Sequence, residues 1–229
     1  MGIIYGTSNV LLKGLLGIFG DWKVEGQECV PPKGPLIIVA NHQSNMDPPL
    51  LAVSIPRRLN FMAKRGLFHD PVASTFLKAY GAFPLNQSGS DLAAIQRSIR
   101  MLSQDGALTI FPEGTRSPGA MKRAIPGIAL IALRSGAPIL PVGITGTEVI
   151  GPPWQIVIPK GQFRVRIGQP FTVPHLEGAV VRDHLESITT MIMERVAAML
   201  PKSYRGVYDP QPNGTLSEAT QEDIGNGRT

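Results

Sequence analysis

The chain contains a single cysteine among its 229 residues, and aromatic side chains make up only 6% of the sequence. One cysteine cannot form an internal disulfide, so the fold depends on a hydrophobic core, and a reducing compartment is the natural setting. No histidine or basic cluster adjoins Cys29 in the sequence, although a thiolate nucleophile needs such a neighbour. We therefore interpret Cys29 as a bystander and not as a catalytic residue.

Several motifs of familiar chemistry are missing as well. The sequence has no Cys/His cluster with the spacing of a metal site, no glycine-rich phosphate loop, no internal repeat and no Gly-x-Ser-x-Gly around any serine. His69 and Asp70 stand directly before Pro71, which is typical of a helix-capping turn, and two residues are too few for a metal site. The sequence thus predicts neither a metal nor a bound cofactor, and it argues against an acyl-enzyme on serine.

No apolar run is long enough to cross a bilayer, which takes about 20 residues, but the first 19 residues have one apolar face. On a helical wheel the apolar half carries Ile4, Tyr5, Leu11, Leu12, Leu15, Leu16, Ile18 and Phe19, and the other half carries Gly2, Gly6, Thr7, Asn9, Lys13, Gly14 and Gly17. This pattern predicts an amphipathic helix that lies in a membrane interface. The alternative is a helix that packs on the core, because an apolar face does not reveal what covers it.

Composition favours one α/β domain with an anionic partner. Hydrophobic residues make up 43% of the chain and charged residues 17%, which allows one domain with a full core. The net charge is +5, and because residues 209–229 carry −3, residues 1–208 carry +8. Nucleic acid and an anionic membrane both attract such a charge. The low aromatic content and the lack of a basic helix argue against nucleic acid, so a membrane surface is the expected partner.

Apolar runs and helical spacing alternate along the chain, which predicts an α/β fold with a mostly parallel central sheet flanked by helices. Predicted strands are 36–40, 59–62, 83–85, 107–111, 139–144 and 163–167, and predicted helices are 48–53, 71–78, 90–104, 126–134 and 181–199. In the last strand, Arg164 and Arg166 alternate with apolar residues, as expected of an edge strand with one wet face. The chain divides into an amphipathic membrane-interface segment, residues 1–29, a central domain, residues 30–202, and a tail, residues 203–229. The tail is rich in proline, glycine and asparagine, so we expect it to be flexible.

The stretch Asn41-His-Gln-Ser-Asn-Met-Asp47 directly follows the apolar strand 36–40. A loop that leaves the end of a strand in an open α/β sheet is where such folds place chemistry. His42 can accept a proton at neutral pH, and a carboxylate bonded to its other ring nitrogen, here that of Asp47, would fix the tautomer and stabilise the imidazolium. Residues five apart do not share a helix face, so the pair must meet across a loop or a tightened first turn. Asp47 before Pro48 is also a common helix start, and both roles can coexist.

A second apolar strand opens into a similar loop, Phe111-Pro-Glu-Gly-Thr-Arg-Ser117. Together with the stretch from Asn41 to Asp47 and with Ile139-Leu-Pro-Val142, in this order and at these separations, it resembles the signature blocks of the glycerolipid acyltransferases. The bacterial 1-acylglycerol-3-phosphate acyltransferases are the most similar members. The resemblance covers about residues 30–170, so it implies that residues 30–202 are an acyltransferase domain.

The resemblance also implies a reaction and roles for individual residues. The reaction is transfer of an acyl group from a thioester, on coenzyme A or on acyl carrier protein, to the hydroxyl of a lysophospholipid. His42 is then the general base, oriented by Asp47, and attack is direct. The acceptor is held by Glu113, Gly114, Thr115 and Arg116, with the Arg116 guanidinium on the phosphate and Gly114 allowing a close backbone approach. By the same likeness Lys64 adds positive charge to the site.

One position departs from the family pattern. The block Gly81-Ala-Phe-Pro-Leu-Asn86 ordinarily ends in an arginine that is thought to bind the acceptor phosphate, and residue 86 here is asparagine. Loss of one bidentate cation removes about 1.5–3 kcal/mol of charge-assisted hydrogen bonding. Either other cations substitute, the candidates being Lys64, Arg65, Lys122 and Arg123, or the acceptor is different. A lyso-ornithine lipid, a glycolipid or another lysophospholipid is then the alternative acceptor.

Two other classes of protein stay open at this stage. A thioester hydrolase would use His42 to activate water instead of an alcohol. A noncatalytic membrane-binding protein would explain the amphipathic start and the charge, but it would not explain polar residues such as Glu113 at strand ends. For the acyltransferase, we expect a peripheral or monotopic location on the cytoplasmic face of the cell membrane.

Overall fold

The fold is a seven-stranded sheet with helices on both faces. A computed structural model describes residues 2–86, 91–174 and 181–210. The strands are β1 (Gly20–Glu25), β2 (Leu36–Ala40), β3 (Leu59–Lys64), β4 (Ala82–Leu85), β5 (Ala107–Ile110), β6 (Ile139–Thr145) and β7 (Gly161–Ile167). The helices are α1 (Ile3–Phe19), α2 (Asp47–Ser54), α3 (Pro71–Ala79), α4 (Leu92–Leu102), α5 (Gly127–Ser135) and α6 (Arg182–Ala198). The predicted mostly parallel α/β sheet, its flanking helices and the helix at the N-terminus are confirmed.

The strand order is β1-β7-β6-β2-β5-β3-β4, with β2 in the middle. The five strands from β6 to β4 are parallel to one another, so their carboxyl ends lie along one edge. All five residues of β2 are buried, as expected of a strand that is covered on both faces. One core lies between the sheet and the first three helices, and a second core lies between the sheet and the last three. This arrangement fixes the edge from which the loops after β2 and β5 emerge.

The prediction that residues 163–167 form an edge strand is wrong. β7 lies between β6, to which it is antiparallel, and β1, to which it is parallel. The edge strand is β1, whose residues the sequence analysis had assigned to the membrane-interface segment. Arg164 and Arg166 contact the acidic side chains Asp21 and Glu25 of β1, with N–O distances of 2.5 and 2.9 Å. The one wet face that the alternation predicted is confirmed: the apolar residues of β7 are buried, and the ion pairs of the two arginines lie on the solvent side.

Helix α1 lies partly in the core and partly at the surface. Tyr5, Leu12 and Leu16 are buried, and truncation of such a side chain typically costs about 2–5 kcal/mol. A stripe of apolar residues spaced seven apart, Ile4, Leu11 and Ile18, is exposed. Among the described residues, no helix has the length and hydropathy needed to cross a bilayer. The core-packing alternative thus accounts for one side of α1 and leaves the apolar stripe unexplained.

The segment after α6 is folded further than predicted. Lys202–Tyr204 and Gly206–Tyr208 form two 3-10 turns, and Tyr204 and Tyr208 pack against the second core. The predicted start of the flexible tail at residue 203 is therefore wrong, because two large aromatic side chains anchor this part of the chain. We call residues 202–209 the C-terminal strap. The rest of the predicted tail, residues 211–229, lies outside the described residues.

Candidate active site

The candidate site lies at the carboxyl edge of the parallel strands, where the loops after β2 and β5 meet. Asn41 leaves β2 with a fully buried side chain that forms two hydrogen bonds to the backbone of Ile144 in β6, at 2.9 and 2.8 Å. Its amide group thus continues the hydrogen bonding between the two strands for one more residue. This contact fixes the direction in which the chain enters His42.

His42 and Asp47 form the predicted pair. The distance from His42 Nδ1 to Asp47 Oδ2 is 2.7 Å, and because a carboxylate can only accept, Nδ1 carries the proton. The imidazole stacks on the Phe111 ring with centroids 4.3 Å apart, and 18% of its surface is exposed. Nε2 is the ring nitrogen that remains to accept a proton from a substrate. The two residues meet across a loop, as the spacing required.

Asp47 is fully buried and accepts four hydrogen bonds. Besides His42, the backbone amides of Gln43 and Ser44 donate to Oδ2 at 2.6 and 2.8 Å, and the Thr147 hydroxyl donates to Oδ1 at 2.5 Å. Asp47 is the first residue of α2 and not its N-cap, which is Met46. The helix-capping interpretation of Asp47 is therefore wrong, because its carboxylate binds the loop before the helix. Ser44 is a turn residue: its hydroxyl donates to the Ile150 carbonyl at 2.9 Å.

Glu113 joins the two signature loops instead of facing a substrate. Its Oε1 accepts a hydrogen bond from the His42 amide at 2.9 Å, and its Oε2 accepts one from the Lys122 amide at 2.8 Å. The side chain is only 5% exposed, and burial raises the pKa of its carboxyl while the two amides oppose that shift. Both oxygens are thus occupied by backbone donors. Glu113 therefore supports the backbone of His42 from below, and the prediction that it also holds the acceptor stays a prediction.

The residues after Glu113 turn outward. Gly114 has φ = 67°, in the left-handed region where residues with a side chain are strained, and its amide donates to the Phe111 carbonyl at 3.1 Å. The tight turn places Thr115 and Arg116 on the surface. The chain then returns, and the Ser117 amide donates to the His42 carbonyl at 2.7 Å. Thr115 and Arg116 are thereby positioned next to His42 with exposed side chains.

Lys64 and Asn86 lie further along the same edge. Both are exposed, at the ends of the neighbouring strands β3 and β4. Neighbouring strands are about 4.8 Å apart, so these ends lie roughly 10 and 14 Å from the end of β2. The amide of Asn86 donates to Asp91 Oδ2 at 2.7 Å. The structure thus brings His42, Asp47 and Glu113 into one network and leaves Lys64, Asn86 and Arg116 as an outer rim.

Thr147 is the residue of this network that the sequence did not reveal. It is fully buried, lies directly after the turn that ends β6, and is 100 residues from Asp47 in the chain. A lone threonine after a strand has no local signature. Thr147 could be identified only from the position of β6 beside β2, and this position is known only from the strand order.

Comparisons with known proteins identify the family and its similar members. Residues 21–145 match the family model described as Acyltransferase. The 1-acyl-sn-glycerol-3-phosphate acyltransferase of Bacillus subtilis is 28% identical over 81% of this chain and 91% of its own length. The enzyme of the same name from Saccharomyces cerevisiae is 28% identical over 80% of this chain and 62% of its own length.

A solved structure has a similar fold. The crystal structure of the 1-acyl-sn-glycerophosphate (LPA) acyltransferase PlsC from Thermotoga maritima matches with a TM-score of 0.65 and 28% identity, over 82% of this chain and 76% of that chain. The family model spans more than half of the 229 residues and includes both signature loops. This chain therefore belongs to the acyltransferase family.

Proposed function

We propose that this protein transfers a fatty acyl group from a thioester to the free hydroxyl of 1-acyl-sn-glycerol 3-phosphate, which gives phosphatidic acid. The observation that carries the proposal is the His42–Asp47 pair, held by a buried network at the edge of the sheet, with Nδ1 of the imidazole bound to Asp47 and 18% of the His42 side chain exposed. The names of the relatives support the choice of acceptor. The acyl donor is a thioester of either coenzyme A or acyl carrier protein.

The mechanism needs one base and no covalent intermediate on the protein. His42 Nε2 takes the proton of the acceptor hydroxyl as the oxygen attacks the thioester carbonyl carbon, and a positioned base of this kind contributes about 100- to 10,000-fold. A new C–O bond forms, the C–S bond breaks, and the leaving thiolate takes the proton from the imidazolium. Asp47 holds the ring by Nδ1 and stabilises its positive charge between these two proton transfers.

An acyl-transfer assay with several acceptors tests the proposal. Purified protein is incubated with labelled acyl-coenzyme A or acyl carrier protein thioester and with lysophosphatidate, other lysophospholipids, a lyso-ornithine lipid or a lyso-glycolipid. We expect phosphatidate to be the main product. Release of free fatty acid at the same rate with and without an acceptor would identify a hydrolase instead. Faster acylation of an acceptor without a phosphate monoester would overturn the acceptor while keeping the reaction.

The exposed rim residues predict how the phosphate is bound. Arg116→Ala should raise the Michaelis constant for lysophosphatidate about tenfold or more, because a charge-assisted pair with phosphate is worth about 1.5–3 kcal/mol. Asn86→Arg should leave this constant unchanged or lower it, because Asn86 is exposed beside Lys64 at the rim. Steady-state kinetics with varied acceptor measures both effects.

Arg134→Ala is the matched control for the rim. Arg134 is also exposed, but it lies at the last turn of α5, away from the carboxyl edge. Of the cations considered as substitutes for an arginine at residue 86, Arg123 is paired with Glu186 at 3.2 Å, so Lys64, Arg65 and Lys122 are the better candidates. If Asn86→Arg weakens the native reaction while Arg116→Ala does not affect binding, the acceptor carries no phosphate monoester.

We further propose that α1 holds the protein on the cytoplasmic face of the cell membrane, as a peripheral or monotopic protein. The stripe of Ile4, Leu11 and Ile18 is exposed along the whole helix, and the only charged side chain of α1 is Lys13. Such a stripe supports insertion into the interface, and the net charge of +8 over residues 1–208 supports attraction to anionic lipids.

Point substitutions test the anchor better than deletion of α1, because deletion would also remove the buried Tyr5, Leu12 and Leu16. Changing Ile4, Leu11 and Ile18 together to glutamine should release the protein from anionic vesicles in a flotation assay. Turnover of short, water-soluble acyl substrates should stay within about twofold, because the three side chains are exposed and are not members of the buried core. A control with Val157 and Val181 changed to glutamine alters exposed apolar residues elsewhere. Equal vesicle binding by the triple variant and the wild type would rule out the anchor.

A further inference from the structure

The C-terminal strap forms hydrogen bonds to the turn after β6 and to the segment before α5. These two parts of the chain hold the His42–Asp47 pair. The C-terminal strap follows α6 and lies far in sequence from either signature loop. Its contacts lead toward the site along two separate routes, one from Tyr204 and one from Tyr208. Each route ends on an atom that holds one of the two paired residues.

The first route runs through Glu148 and Thr147. The Tyr204 hydroxyl donates to Glu148 Oε1 at 2.5 Å, and burial together with this neighbouring carboxylate raises the pKa of Tyr204 to about 12, so the phenol keeps its proton. Glu148 is the next residue after Thr147, whose hydroxyl donates to Asp47 Oδ1. Tyr204 thus fixes the short 3-10 turn that supplies the partner of the Asp47 carboxylate.

The second route runs through the segment from Met121 to Ala124. The Met121 amide donates to the Tyr204 carbonyl at 3.0 Å, and the Ala124 amide donates to the Tyr208 hydroxyl at 2.9 Å. Between these two anchored residues lies Lys122, whose amide holds Glu113 Oε2. The other oxygen of Glu113 holds the His42 amide, so this route ends on the backbone of the base.

Gly206 shows how closely the strap is fitted to this segment. It has φ = 54°, a left-handed conformation that disfavours residues with a side chain. A Cβ atom at this position would also overlap the backbone of Met121, which is itself buried. The strap and the segment before α5 are therefore in direct backbone contact, so a shift of the strap displaces Met121.

We infer that the C-terminal strap is a positioning element for catalysis, in which Tyr204 holds Asp47 through Thr147 and Tyr208 holds His42 through Glu113. The expected changes in kcat rest on the proposed function. The expected changes in the structure around His42 and Asp47 do not depend on the proposed function. Neither tyrosine touches a substrate or a reacting atom. Their effect is on the placement of the imidazole, where an error of 1 Å can cost about 100-fold in rate.

The experiment compares Tyr204→Phe, Tyr208→Phe and Gly206→Ala with the wild-type protein. Each tyrosine variant loses one hydroxyl and should lower kcat roughly three- to tenfold, while the Michaelis constants of donor and acceptor change less than about twofold. Gly206→Ala should lower kcat more, because it displaces the segment that carries Lys122. Tyr80→Phe is the control: Tyr80 is buried where the two strap tyrosines are half-buried, and it too loses a hydroxyl hydrogen bond, to Asn9 at 2.8 Å, but it lies between α1 and α3. Its kcat should equal that of the wild type.

A double-mutant cycle separates the two routes. In a Thr147→Val background, Tyr204→Phe should have little further effect on kcat, because both act through the same Asp47 oxygen, whereas Tyr208→Phe should retain its effect. Additive effects of Tyr204→Phe and Thr147→Val would overturn the first route. Unchanged kcat in both tyrosine variants would overturn the inference as a whole.

Amide hydrogen exchange provides a readout that does not depend on activity. Tyr208→Phe should speed exchange at Lys122 and His42, and Tyr204→Phe should speed it at Gln43 and Ser44, whose amides donate to Asp47. If the wild type transfers no acyl group, the proposed function fails. The exchange rates would still show whether the strap positions His42 and Asp47. Unchanged exchange at all four amides would contradict the inference whatever the reaction is.

Discussion

His42→Ala should abolish acyl transfer and leave the fold intact. The variant loses its proton acceptor, so kcat should fall by about 100- to 10,000-fold. The buried Asp47 carboxylate keeps three of its four donors, the amides of Gln43 and Ser44 and the Thr147 hydroxyl, so it is not left unpaired. We therefore expect the unfolding temperature to change by only a few degrees. Initial rates with excess donor and acceptor, together with thermal unfolding, measure both quantities.

His69→Ala is the control for this prediction. His69 is exposed on the turn before α3 and is not part of the His42 network. This variant should transfer acyl groups at the wild-type rate. A correctly folded His42→Ala protein with wild-type turnover would overturn the mechanism, because no other base in the network is open to a substrate.

Asp47→Asn should lower kcat by roughly 10- to 150-fold, which corresponds to the loss of about 1.5–3 kcal/mol of charge-assisted hydrogen bonding. Its amide oxygen can replace Oδ2, which accepts from His42, Gln43 and Ser44, and its NH₂ group can donate to the hydroxyl oxygen of Thr147. The opposite orientation would set the NH₂ group against two backbone N–H donors. The tautomer of His42 is then retained, but the negative charge that stabilises its imidazolium is lost. Kinetics with varied donor and acceptor should show nearly unchanged Michaelis constants.

Asp70→Asn is the matched substitution. Asp70 caps α3 by accepting a hydrogen bond from the Ala73 amide at 2.7 Å, and asparagine caps a helix about as well as aspartate. Activity and stability should both stay at the wild-type level. An Asp47→Asn protein that keeps full activity would show that the negative charge of Asp47 is not needed to stabilise the imidazolium. A protein that unfolds would show that the carboxylate serves the fold.

The sequence predicted the parts of the fold that local patterns determine. Buried strands such as β2 and helix starts such as Asp70-Pro71 are visible because burial and capping depend on neighbouring residues. The pairing of His42 with Asp47 was predictable for the same reason, since both lie in one loop. The capping turn predicted for His69-Asp70 is confirmed by the hydrogen bond of Asp70 to Ala73.

The features that were missed depend on contacts between residues that lie far apart in the sequence. The strand β1 was missed because its partner β7, with which it forms backbone pairing and two ion pairs, lies about 140 residues further on. Thr147 has meaning only once β6 is known to lie beside β2. The support that Glu113 gives to His42 was not visible, because its backbone partners, the amides of His42 and Lys122, carry no signature in the sequence.

Because Glu113 is buried, the residues that hold the catalytic base differ from the residues that we expect to contact the acceptor. Since the Glu113 carboxylate is buried and accepts two backbone hydrogen bonds, we expect the acceptor to be chosen by the exposed rim residues Lys64, Asn86 and Arg116 and by Thr115 beside Arg116. Substitutions at the rim can change the headgroup that is accepted while the base stays in place. An engineer who wishes to redirect this enzyme to a new lysolipid should therefore vary Thr115 and Asn86 and leave Glu113 untouched.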